Sequence, residues 1–279
     1  MLKKLVFGTG GAPLSTVGGG SIKGVARVRE LGLSCMEVEW VQGNPSAPGS
    51  KTLLDIKKES EKDPKIIISC HSSYYINLAG EQDIIDASRE RIRKAVASLV
   101  SAGGRNVVFH PGFYKDRTPE ETHKLVIENM QMIVAQLEAE KVTGYTLRPE
   151  TTGKPTQHGS IDETIELCIE VPNTLPCIDF AHLHARSGGK FNTKKEFASV
   201  LEKLGNLGDK GLKDMHIHLS GIEYSDKGER KHLKLLESDM NYKDLFKTLK
   251  EFGACGTVIC ESPVLEEDAL IMQEFYESL

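Results

Sequence analysis

Six apolar runs in this chain end on, or carry near their ends, an imidazole or a carboxylate. His71 closes KIIISCH, His110 closes NVVFH, Glu150 closes GYTLRPE, Asp179 closes TLPCID and Glu261 closes TVICE, while DMHIHL carries His216 and His218 two residues apart. Imidazole with carboxylate is a donor set suited to zinc, manganese or iron, not to a thiolate site. Three carboxylates brought together would resist joint ionisation, and shared cations remove that cost. More donors follow. His182 and His184 lie just beyond Asp179 in DFAHLHAR, and GERKHLKL supplies Glu229 and His232. Seven of the nine histidines therefore fall at or just beyond the end of an apolar run. His123 reads as a solvated helix position. His158, in the loop after Glu150, reads either as loop filler or as a substrate contact.

These residues need a scaffold that brings strand ends together. The short, uninterrupted apolar runs suit strands of a parallel sheet buried on both faces. They predict strands at Leu2–Phe7, Cys35–Trp40, Lys65–His71, Asn106–His110, Gly144–Glu150, Thr174–Asp179, Asp214–Leu219 and Thr257–Glu261. Helical patterns alternate with them at Ser21–Leu31, Leu53–Glu61, Ile84–Ala102, Pro119 to about Lys141, Asp162–Cys168, Thr193–Leu204, Tyr242–Phe252 and Glu266–Ser278. Thr118-Pro119-Glu120-Glu121 supplies a cap, a proline at the first helical position and first-turn acids. Eight strands alternating with eight helices predict a single (β/α)8 TIM barrel over residues 1–279, with an open doubly wound sheet as the other arrangement. In a barrel, all these strand ends converge on one C-terminal rim. GTGGAP after the first strand only loosely resembles a dinucleotide loop, since Pro13 stands where the last glycine belongs, so its glycines read as turn formers. Cys70 and Cys260, beside candidate ligands, read as core residues facing away from the rim.

Composition excludes little beyond membrane and disulfide proteins. The chain has 279 residues, 39% of them hydrophobic, and no apolar stretch long enough to span a bilayer. Its start, MLKKLVFGTGGAP, lacks the apolar core of a secretory signal. The six cysteines form no CxxC pair, so a disulfide framework is not indicated and a reducing cytoplasm is the expected location. Net charge is −5, yet six acids and no Lys or Arg occupy the last nineteen residues. The remainder holds 35 bases against 34 acids, so a nucleic-acid partner stays open.

The segments CHSSYYINL, VVFHPG, PETTGKPTQHGS, PCIDFAH and HIHLSG, with the strand ending in Glu261, resemble the endonuclease IV family of apurinic/apyrimidinic endonucleases. The resemblance runs from about Lys65 to Leu279. It implies a TIM barrel holding two to three zinc ions, with Mn2+ or Fe2+ as alternatives. His71, His110 and Glu150 would hold the first ion. Glu150 would bridge to a second, completed by Asp179, Glu261 and a strand-seven histidine. Alignment on HLSG favours His218 for that place, whereas counting back from Glu229 favours His216. His182 would bind a third ion with Glu229 and His232 from the following loop. Where the family reads Asp-Arg-His, this chain has Glu229-Arg230-Lys231-His232. EWVQGNPSAPG also lacks the family's usual basic, asparagine-bearing DNA-probing loop.

The resemblance further implies a monomeric DNA-repair hydrolase acting on double-stranded DNA with abasic lesions. It would cut 5′ to the abasic sugar with a zinc-bound hydroxide, leaving a 3′-hydroxyl. Glu150 and Glu261 would be catalytic, Glu261 by orienting the attacking water. Tyr74 would lie near the sugar-phosphate or serve as rim packing. The chief rival is a divalent-metal sugar isomerase or epimerase on the same barrel. It would need only Glu150, Asp179, His218 and Glu261, and would leave His71, His110, His182 and His232 without a role. A third reading is a metal-binding barrel without catalysis.

Overall fold

A computed structural model describes residues 2–43 and 45–279. Asn44, in the segment after the second strand, lies outside the described residues. In chain order the main elements are β1 (Leu5–Gly10), α1 (Ser21–Glu30), β2 (Cys35–Glu39), α2 (Lys51–Ser60), β3 (Ile67–His71), α3 (Gln82–Ser101), β4 (Asn106–Phe109) and α4 (Pro119–Ala139). They continue as β5 (Thr146–Pro149), α5 (Ile161–Glu170), β6 (Cys177–Asp179), α6 (Phe180–Arg186), α7 (Lys194–Leu204), α8 (Asp209–Lys213), β7 (Met215–Leu219), α9 (Tyr242–Glu251), β8 (Gly256–Cys260) and α10 (Glu266–Ser278). The eight strands form one sheet in the order β5-β4-β3-β2-β1-β8-β7-β6, every pairing parallel. Its two ends meet through bridges between Leu147 and Thr174 and between Glu150 and Cys177, which close the barrel. The predicted TIM barrel is therefore the fold. Among the described residues no helix is long and apolar enough to cross a membrane.

The helices form where their local signals say. Thr118 and Glu121 make a reciprocal capping box at the start of α4, as do Ser160 and Glu163 at α5 and Thr193 and Glu196 at α7. Three departures from the sequence reading matter. The first strand runs three residues later than Leu2–Phe7, through the glycines read as turn formers. Strand β2 passes so close that a Cβ on Gly8 would lie 1.7 Å from the Cys35 carbonyl oxygen, so only glycine fits there. Second, DFAHLHAR starts a helix at once. Asp179 caps α6 by accepting a hydrogen bond from the His182 amide at 2.7 Å. Third, GERKHL is not loop but the second arm of a hairpin, Gly221–Ser225 with Gly228–Leu233, standing on the rim after β7.

The two faces of the barrel wall differ. Outward residues such as Phe7, Met36, Val38, Ile68, Cys70 and Cys260 join the apolar core under the helices, which places both cysteines as the sequence reading has them. The inward face is polar through much of its depth. Near the N-terminal end, buried Arg148 donates to Asn106 Oδ1 at 2.9 Å and pairs with Asp214 at 3.1 Å. Above it lie His216, Ser69 and Glu37, hydrogen-bonded to one another through the Glu37 carboxylate. The C-terminal rim carries the candidate ligands.

Candidate metal centre

Strand alternation decides what reaches the rim. Parallel register pairs Asp179 with His218 and Cys177 with His216, so the two strand-seven histidines occupy successive inward layers. Glu150 stands at the middle of the upper layer. Its Oε2 lies 3.1 Å from His71 Nε2 and 3.0 Å from His110 Nε2. Its Oε1 lies 3.2 Å from His182 Nδ1 and 3.4 Å from His218 Nδ1. His218 Nδ1 is also 3.2 Å from Glu261 Oε1. Two donor groups thus meet at Glu150, one of His71, His110 and Glu150 and one of Glu150, Asp179, His218 and Glu261.

A third group forms beside them from α6 and the hairpin. His182 and His232 face each other through Nε2 at 3.4 Å, with Glu229 Oε2 3.5 Å from His182 Nε2. Asp179, His182 and His232 also lie within mutual ligand distance. Gly153 makes the approach feasible, since a Cβ there would sit 2.5 Å from Glu229 Oε2. The shift from Asp-Arg-His to Glu-Arg-Lys-His is thus accommodated: a β-bulge at Arg230, where Lys231 pairs with Glu223 but Glu229 with Tyr224, breaks the alternation so that Glu229 and His232 both face the site while Lys231 turns outward to Glu223.

Polar bookkeeping tests whether cations fit. Glu150 Oε1, Asp179 Oδ2 and His218 Nδ1 are buried without a hydrogen-bond partner, a costly state for isolated polar atoms. His182 Nδ1 and His232 Nδ1 each lie 3.0 Å from a backbone carbonyl, of Thr151 and Glu261 respectively. Donation to those carbonyls leaves two neutral Nε2 lone pairs pointing at each other, an arrangement that a cation between them satisfies. His71 follows the same rule, its Nδ1 donating to the Ser72 carbonyl at 2.8 Å and its Nε2 facing Glu150. His110, Glu229, His232 and Glu261 keep 12–25% of their side-chain surface, enough for access from solvent.

Without cations the charges balance through protons. Burial disfavours the His71 imidazolium, but the Glu150 carboxylate outweighs it and raises the pKa to about 9. His182 is likewise raised, against burial, by Asp179, Glu150 and Glu229, and His218 by Cys177 together with Glu261, Glu37 and Glu150. Burial also opposes ionisation of Glu261, yet His218 beside it pulls the carboxyl down to about 2. Asp179 goes the other way, pushed up mainly by burial.

The remaining predicted residues separate. His216, offered as an alternative to His218, lies one layer deeper. Its Nε2 is 2.8 Å from Glu37 Oε2 and its Nδ1 2.8 Å from Thr257 Oγ1, so both nitrogens are engaged away from Glu150 and Glu261. Cys177 shares that deeper layer with His216 and lies within ligand distance of both strand-seven histidines, but burial raises its thiol pKa far from ionisation. Tyr74 is half exposed, with its ring 5.1 Å from that of His71 and 5.8 Å from that of His110. His123 is not the solvated residue expected, because it stacks on buried His158 with Nδ1 2.8 Å from His158 Nε2. His184 binds Asp239 and the Lys190 carbonyl, outside the three groups. Sequence reasoning passed over Glu37, which touches both strand-seven histidines. A glutamate in the middle of CMEVE, an otherwise apolar buried strand, was the available signal.

The fold and the site together define a TIM barrel with imidazole and carboxylate donors gathered at its C-terminal rim. Residues 25–278 match the xylose isomerase-like TIM barrel family, and the chain belongs to that family. It is 48% identical over 277 residues to an uncharacterized protein of Methanocaldococcus jannaschii, covering 99% of this chain and 98% of that one. It is 26% identical over 237 residues to a probable endonuclease 4 of Finegoldia magna, covering 77% and 79%. Among solved structures, endonuclease IV from Thermus thermophilus superposes with a TM-score of 0.71 at 18% identity, covering 97% of this chain and all of that one. A D-tagatose 3-epimerase-like protein superposes with a TM-score of 0.69 at 21% identity, covering 92% and 94%. At such identities both likenesses speak to the fold.

Proposed function

We propose that this protein is a metal-dependent phosphodiesterase of the endonuclease IV type, acting on abasic sites in double-stranded DNA. The observation that carries the reading is the third donor group, His182 with His232 and Glu229, joined to the His71–His110 pair around Glu150. A sugar isomerase has no use for these residues. Zinc suits the imidazole-rich donor set best. Divalent ions held there by the His71, His110, Glu150, Asp179, His218 and Glu261 donors would supply Lewis-acid stabilisation of phosphate charge and acidify water. Glu150 serves both principal groups, keeping their donors in one rigid array. Glu261, partly open to solvent beside His218, would orient a water molecule and hold its proton. Tyr74, over the His71 and His110 rings, offers a flat face to a sugar at the mouth of the site. Lys231 and Arg230, exposed on the hairpin and paired with Glu223, would exchange that partner for backbone phosphates.

The second reading is a sugar isomerase or epimerase, and the compact set of Glu150, Asp179, His218 and Glu261 favours it. One experiment separates the two. Protein purified without added metal is analysed for metal content and assayed on a duplex with one abasic site. Two to three zinc ions per chain with cleavage 5′ to the lesion supports the nuclease. A single manganese or magnesium, no cleavage and turnover of a ketose refutes it.

A further inference from the structure

Glu37 projects from β2 into the barrel interior, fully buried, one layer below the rim. Its Oε2 accepts from Ser69 Oγ at 2.7 Å and from His216 Nε2 at 2.8 Å. The Glu37 carboxylate can only accept, so His216 carries a proton on Nε2, and its Nδ1 meets the Thr257 hydroxyl at 2.8 Å. These contacts lock the carboxylate and leave Oε1 2.9 Å from His218 Nε2, two buried atoms that have no other hydrogen-bond partner. A buried carboxylate oxygen that close to an imidazole nitrogen is repelled unless a proton lies between them. The ring's other nitrogen, Nδ1, is then the one turned toward Glu261 and Glu150.

We propose that Glu37 is the positioning carboxylate of the strand-seven ligand, holding the proton of His218 on Nε2 so that the Nδ1 lone pair faces a divalent ion shared with Glu150, Asp179 and Glu261. The proposal rests on the metal-centre reading but not on the choice of reaction, since those four residues belong to the nuclease and isomerase readings alike. Ligating histidines are commonly held by a carboxylate on their other nitrogen, and losing it weakens metal binding about 10- to 100-fold. Here the carboxylate is itself held by a second histidine, so His216 serves Glu37 rather than an ion.

The test uses the full chain, zinc and the variants Glu37→Gln and Glu37→Asp. Zinc affinity is measured by competition with a chelating dye, and 15N chemical shifts of the zinc-loaded wild type report which His218 nitrogen keeps its proton. The expected results are a protonated Nε2 and a metal-bound Nδ1 in the wild type. Glu37→Gln should weaken one class of zinc site about 10- to 100-fold, with partial recovery in Glu37→Asp and no change at the site of His182 and His232. A wild type whose His218 binds through Nε2 overturns the proposal without need of any variant. Wild-type zinc affinity and an unchanged His218 spectrum in Glu37→Gln also overturn it, leaving the metal centre standing. A wild type that binds no divalent ion overturns the metal-centre reading and this proposal with it.

Discussion

Replacing Glu150 with glutamine removes one charge and keeps the side chain's shape, so its consequences report on charge and not on packing. In the structure Glu150 Oε2 faces His71 and His110 at 3.1 and 3.0 Å, while Oε1 faces His182 and His218 at 3.2 and 3.4 Å. The same carboxylate therefore serves two donor groups. Structural zinc sites bind with apparent free energies of about 10–16 kcal/mol over four ligands, or roughly 2.5–4 kcal/mol per ligand. Each of the two ions around Glu150 should thus bind roughly 10²- to 10³-fold more weakly in Glu150→Gln. The ion held by His182, His232 and Glu229 should remain. Metal analysis after dialysis against a weak chelator should find about one ion per chain in the variant, against two to three in the wild type. Cleavage of an abasic duplex should be lost with the ions. Wild-type zinc content together with full cleavage in Glu150→Gln would refute the shared-carboxylate reasoning.

Four other outcomes follow from particular contacts. His232→Ala should lose about one ion per chain while the pair around Glu150 stays; equal metal content and equal cleavage would make the site a two-metal one. Binding to an abasic duplex should weaken with salt at a log–log slope near −0.9 per phosphate neutralised, and a flat titration would point to a small-molecule substrate. Acid should compete with metal: the raised pKa of His71, about 9, means that binding must displace a proton below that pH. Apparent zinc affinity should therefore climb as pH rises toward 9 and then level off, with proton release visible in calorimetry across buffers of different ionisation heat. An affinity independent of pH over that range would contradict the imidazole–carboxylate pairing. Gly8→Ala should fail to give soluble folded protein, because its Cβ would meet the Cys35 carbonyl at 1.7 Å; an unchanged thermal melt would show that β1 and β2 can separate.

Much of this protein is written locally. The alternation of short apolar runs with helical segments narrows the fold to a barrel or an open doubly wound sheet, because parallel strands buried on both faces and a helix with a cap at Thr118 need no distant information to be recognised; the bridges that join β5 to the β6 side close it as a barrel. The rim donors were equally legible, since a strand end in a barrel always arrives at the same face. Tertiary structure alone decided what those donors do to one another. His216 and His218 look alike in MHIHL, and only the register of β7 against β6 and β8 sends one up beside Glu261 and the other down to Glu37. GERKHL reads as loop by composition, yet pairing with Gly221–Ser225 makes it a strand and restores His232 to the site despite the inserted lysine. Glu37 was invisible as a working residue because its partners, Ser69, His216 and His218, come from two other strands, and nothing in its own neighbourhood of sequence names them. Type and spacing determine which groups reach a face; which nitrogen or oxygen each group turns toward its neighbour is settled by contacts between strands far apart in the chain.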